Sequence, residues 1–107
     1  MKLVIIESPF AGDVKTNIKY ARKCICDCLK RNESPIASHL LFTQKGILND
    51  LIPEERTLGV KAGLSWYKVA DLSAVYTDMG ISKGMKEGII KAKQFKVNIE
   101  YRTLKGE

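Results

Sequence analysis

The side chains of this chain that could move a proton, attack a carbon or hold a phosphate are few: Glu7, Ser8, Asp13, His39, Thr43, Gln44, Asp71, Asp78 and Ser82. His39 is the single histidine of 107 residues. It could serve as a general base, bond a ligand, or hold a long loop in place. No Ser/His/Asp arrangement can be argued from spacing. Cys24, Cys26 and Cys28 cannot chelate one metal, because on a helix the outer two share a face and Cys26 points away. Neither metal nor cofactor is expected. Without a secretory signal the three read as small semi-buried thiols in a reducing compartment, not as a disulfide scaffold. The glycines at 80 and 84 fit neither G-x-x-x-x-G-K-S/T nor G-x-G-x-x-G. Asp71, at a helix–strand boundary, reads first as a turn or cap residue.

These residues need a scaffold, and the chain is long enough for one domain, residues 1–107. Its 45% hydrophobic content suits a packed core. No apolar run nears the roughly 18 residues that span a bilayer, and the Leu3–Ile6 run is too short for a signal-peptide core, so a cytoplasmic protein is expected. The charge of +6 comes from 18 basic against 12 acidic residues, interleaved along the chain. The densest stretch, Lys83 to Lys96, reads as a solvated helix face, and no nucleic-acid signature appears. Nucleic acid is therefore not expected as a partner.

Leu3 to Ile6 is short, apolar and β-branched, and predicts a buried strand. Asp13 is a candidate N-cap for a helix from Val14 to about Leu29 with a stripe of Val14, Ile18, Ala21, Ile25, Cys28 and Leu29. Pro35 to Ser38 predicts a second strand, and His39 to Ile52 a functional loop. Pro53-Glu54-Glu55 opens a helix reaching about Val69, with carboxylates at its positive end. Leu72 to Thr77 predicts a third strand. Ser82 caps a helix ending near Gln94, whose core stripe is Met85, Ile89, Ala92 and Phe95. Val97, Ile99 and Tyr101 alternate with polar residues, as an edge strand does. Trp66 and Tyr67 read as core or subunit contact in preference to a stacking platform. The alternation implies an α/β fold: a single three-layer Rossmann-like domain on a mostly parallel sheet of four to five strands.

In such sheets ligands bind outside the carboxyl ends of the strands. That rule selects Glu7–Asp13, His39–Asp50, Thr77–Ser82 and the tail after Tyr101. Two of these segments lead into helix N-termini, which favour a phosphate or carboxylate.

Ser8-Pro9-Phe10-Ala11-Gly12-Asp13, with Asn17 and Ala21-Arg22, resembles the phosphate-and-sugar loop and first helix of nucleoside 2-deoxyribosyltransferase-like proteins. Pro35 to Gln44, Pro53-Glu54-Glu55-Arg56-x-Leu58-Gly59, Ala62-Gly63-Leu64 and Tyr76-Thr77-Asp78-x-Gly80-Ile81-Ser82-x-Gly84-Met85 resemble a small subfamily of them found in bacteriophages and actinobacteria. The resemblance implies a nucleoside or nucleotide ligand and a carboxylate nucleophile that cleaves or transfers an N-glycosidic bond. It assigns Glu87 as nucleophile with Asp78 or Asp71 as partner. It assigns Ser8, Pro9, Phe10, Gly12, Asp13, Asn17, His39, Ser82, Gly84 and Met85 to ligand binding. It also implies a homo-oligomer, and host cytoplasm if the gene is a phage's. Many relatives carry their glutamate where this chain has Gly88, one residue past Glu87, and such a slip turns a helical side chain by about 100°. The alternative is a non-catalytic module that sequesters a nucleotide, and behind it an interaction protein with a vestigial pocket.

Overall fold

Strand β1, Leu3–Glu7, lies at the heart of a four-stranded, all-parallel sheet of order β2-β1-β3-β4, in the computed structural model that describes residues 1–104. Of the rim segments, the tail after Tyr101 lies partly outside the described residues. The other strands are β2 (Ser34–Ile36), β3 (Leu72–Tyr76) and β4 (Asn98–Arg102). Helix α1 (Val14–Lys30) joins β1 to β2; α2 (Ser38–Leu41), α3 (Pro53–Ser65) and a 3-10 turn (Trp66–Lys68) lead to β3; α4 (Lys83–Gln94) leads to β4. Register pairs Ile5 with Ser73 and Glu7 with Val75. Since the chain leaves β1 in one direction and returns to its other side, the switch point of the sheet falls between β1 and β3.

Alternation along the strands divides the core. Val4 and Ile6 join Leu72, Ala74 and Tyr76 beneath α1, whose Tyr20, Cys24 and Cys28 recur at helical spacing. Ile5 turns the other way, onto Tyr67, Ala92 and Val97, and Val75 onto Met85 and Ile89 of α4. Helices therefore cover both faces, as expected of this fold. Asp13 caps α1, accepting from Thr16 N at 3.3 Å and Thr16 Oγ1 at 2.8 Å. Ser82 Oγ caps α4 by accepting from Met85 N at 3.3 Å.

Several expected boundaries move. The second strand stops at Ile36, and the expected loop begins with α2, so His39 is helical. The helix from Pro53 tightens to 3-10 geometry after Ser65. Val14, Leu29 and Phe95 leave their predicted stripes for the surface. Fully buried Cys24 takes a place in the α1 stripe instead, with Cys28. Small thiols let α1 approach the sheet closely, which a leucine there would prevent.

A polar cluster ties α1 to the β3–β4 edge. Arg102 donates from both terminal nitrogens to Glu33, at 2.8 and 2.7 Å, and Tyr76 OH donates to Asp27 at 2.7 Å. The guanidinium holds the Glu33 carboxyl below the usual carboxylate range. No helix among the described residues is long and apolar enough to cross a membrane.

Candidate functional site

The crevice outside the carboxyl ends of β1 and β3 is built from the two loops that leave those strands. Glu7 ends β1 on the face of Ile5, so its side chain turns under α4. The Tyr67 hydroxyl donates to Glu7 Oε2, and the carboxyl lies against Gly88 of α4. A Cβ at position 88 would stand 2.5 Å from Glu7 Cδ and 2.8 Å from Oε1. Burial pushes the carboxyl up to about 7, with the Tyr67 hydrogen bond pulling the other way. Burial, and then the neighbouring Glu7 carboxyl, raise the Tyr67 phenol above its ordinary value, and Ser73, fully buried on the same face, pulls the other way without reaching hydrogen-bond geometry.

Ser8 follows, buried, with Oγ 2.7 Å from His39 Nε2 on α2. The tautomer of His39 decides which of the two donates. Burial lowers the imidazole to about 4, so it is neutral near pH 7. The Phe10 ring meets it edge-on, centroids 6.4 Å apart. The loop beyond is self-bonded: Asn17 Nδ2 donates to the carbonyls of Phe10 and Ala11, at 2.8 and 3.1 Å. Gly12 turns the chain at φ 98°, a left-handed conformation that disfavours other residues. Asn17 and Asp13 thus shape this loop through their backbone bonds.

From the β3 side, Asp78 Oδ1 accepts from Tyr20 OH at 2.7 Å and from Leu104 N at 2.9 Å. Its carboxylate therefore anchors α1 and the C-terminal segment. Gly80 makes the turn at φ 82°, and Gly84 opens on free space at the start of α4. Met85 faces inward, 1% exposed against Val75 and Ile89.

The structure therefore brings together Ser8, Phe10 and His39, while the preceding residue, Glu7, turns to the α4 side of the sheet against Tyr67 and Gly88. It does not bring the three aspartate and glutamate candidates into one group. Asp71 lies at the amino end of the sheet, where its Oδ2 accepts from Leu3 N at 2.8 Å. A parallel strand enters there and leaves at the opposite edge. Glu87 is exposed on α4, next to the Gly88 that faces Glu7. Among the described residues no three potential metal-ligating side chains converge. Two surface cavities of about 320 Å³ lie elsewhere, one against β2 and Trp66, the other beside Arg22 and Lys30. The Glu7–Tyr67 pair was not legible in the sequence. A carboxylate directly after a buried apolar run was its one signal, because Tyr67 lies 60 residues away.

A family model described as "Domain of unknown function (DUF7768)" matches residues 2–102. No curated protein matches the chain. Among solved structures, a 2-deoxyribosyltransferase from the psychrotolerant bacterium Bacillus psychrosaccharolyticus is similar, with a TM-score of 0.67 and 17% identity over 98% of this chain and 74% of that one. At that identity the likeness is one of fold: a Rossmann-type parallel sheet between helices.

Proposed function

The chain belongs to the family described as Domain of unknown function (DUF7768), and we propose that it binds a nucleoside or nucleotide at the carboxyl edge of its sheet and breaks or transfers the N-glycosidic bond. The observation that carries this reading is a largely buried carboxyl, Glu7, held by Tyr67 at the carboxyl end of β1, where the next residue, Ser8, meets His39. Leaving bases need a proton and the sugar carbon needs charge stabilisation, and a buried carboxyl can serve such chemistry. The fold shared with a 2-deoxyribosyltransferase supports the ligand class. In this reading residues 1–107 act as one domain, the Ser8–Asp13 turn cradles the sugar, and Ser82 and Gly84 border the ligand. The setting is a bacteriophage or actinobacterial protein at work in the cytoplasm.

A second reading is binding without turnover, favoured by the exposure of Glu87 and by the hydrogen bonds that occupy Asp78. The two part on one experiment. Purified protein is incubated with mixed deoxynucleosides, nucleotides and free bases, and supernatant and denatured protein are read by mass spectrometry. Released or exchanged bases support glycosidic chemistry; an unchanged ligand recovered only on denaturation supports binding alone. Neither result sinks both readings.

The two cavities of about 320 Å³ lie away from the crevice at the carboxyl ends of β1 and β3. A second copy of the chain closing it is part of this proposal.

A further inference from the structure

Helix α4 carries a glycine at position 88, in mid-helix, where alanine is the better helix former. The glycine is buried, and what fills the space beside it is the carboxyl of Glu7, arriving from β1. Any side chain at 88 would overlap that group. Tyr67 holds Oε2, which leaves Oε1 as the oxygen without a hydrogen bond among the described residues. Glu87, one position away, stands about 100° round the helix and is exposed. Helix, 3-10 turn and strand are thus fitted around one carboxyl group at the switch point.

We propose that Glu7 is the general acid and base of this site, and that Gly88 is the residue that makes room for it. The proposal rests on the N-glycosidic reading above. Glu7 gives its carboxyl proton to the departing base as the C1′–N bond breaks, and the bonding pair goes to the base nitrogen. Water, or the ring nitrogen of a second free base, then forms the new bond to C1′. The proton lost by that nucleophile returns to the Glu7 carboxylate, so the residue ends as it began. A carboxyl raised to about 7 is present in both forms at neutral pH, which suits a group that must give and retake a proton. The titratable group that faces it is Tyr67 on the 3-10 turn; from α4 it meets Gly88.

The test uses the full chain with purine and pyrimidine deoxynucleosides and their 5′-monophosphates, released base being measured by chromatography from pH 5 to 9. Glu7→Gln should lower kcat by about 10²- to 10⁴-fold with KM moved only a few-fold. The wild-type rate should fall about tenfold per pH unit above 7, as the acid form is lost. Tyr67→Phe removes the hydrogen bond that holds the carboxyl down, so this alkaline limb should shift to higher pH. A structural role for Glu7 would leave the limb in place, and if Glu7→Gln does not fold, the Tyr67→Phe profile decides. Wild-type release with Glu7→Gln equally active, or a collapse in Glu87→Gln alone, overturns the proposal and leaves the N-glycosidic reading standing. Bound but intact nucleoside overturns that reading, and the role of Glu7 with it.

Discussion

Glu7 and His39 are two partly buried ionisable groups whose effects on stability run in opposite directions. The carboxyl is raised from an ordinary 4.5 to about 7, so the folded state holds its proton more tightly than the unfolded state does. Folding stability contributed in the acid form is therefore lost as pH rises from 4.5 to 7. The imidazole is lowered from 6.5 to about 4, so stability is lost as pH falls through the same range. Each change is on the order of 2 kcal/mol after allowing for partial exposure, and between pH 4.5 and 6.5 they offset each other. Wild-type melting temperature should vary little there on their account. Glu7→Gln should uncover the His39 limb, losing stability on acidification below 6.5, and should be more stable than wild type at pH 8. Thermal melts across pH check this; a variant less stable than wild type at pH 8 contradicts the burial argument. His39 was visible in the sequence because it is unique. Glu7 stood there as one rim carboxylate among several, since its burial depends on a tyrosine and a glycine far along the chain.

At the scale of elements, α4 against β1 is the contact that can be dissected. Gly88→Ala brings a Cβ onto the Glu7 carboxyl and should destabilise the protein by about 1–3 kcal/mol, as overpacking does. In a Glu7→Ala background the same change meets no carboxyl, and helix propensity should make it stabilising by about 1 kcal/mol. Urea denaturation of the four proteins gives the cycle, and additive effects would show that the two positions do not share this space. The β3–β4 edge offers a second case. Arg102→Ala leaves Glu33 buried without its partner and should cost about 3–5 kcal/mol in the same denaturant assay. Elements with strong local signals were legible: the Asp13 and Ser82 caps, the Pro53 start and the apolar strands. The α2 turn was not, because Ser38 to Leu41 is too short to show a period and is held by tertiary packing. Its Ser38 lies so close to α3 that a Cβ at Gly63 would stand 2.5 Å from its Oγ.

For the whole molecule, the apolar residues left outside the core are unevenly placed. Leu41, Leu51, Leu58, Val60, Trp66 and Val69 are all exposed, and all fall between β2 and β3. Leu51 is 90% and Val69 58% accessible. α3 has apolar residues on several sides and buries only Gly63, so its sequence period could not announce which face meets the sheet. That is why this half of the chain was the least legible, and also why it is the half that invites a partner. A mostly parallel sheet followed from alternating strands and helices, whereas the strand order that sets the switch point and an intermolecular face leave no such local mark. If a second copy covers α3 and Trp66, light scattering on a sizing column should give about twice the 12.0 kDa chain mass. Trp66→Asp should then return the monomer while circular dichroism stays unchanged, because the indole is 42% exposed and not part of the buried core. A wild-type protein that elutes as a monomer at high concentration would leave the crevice to be closed by its ligand alone.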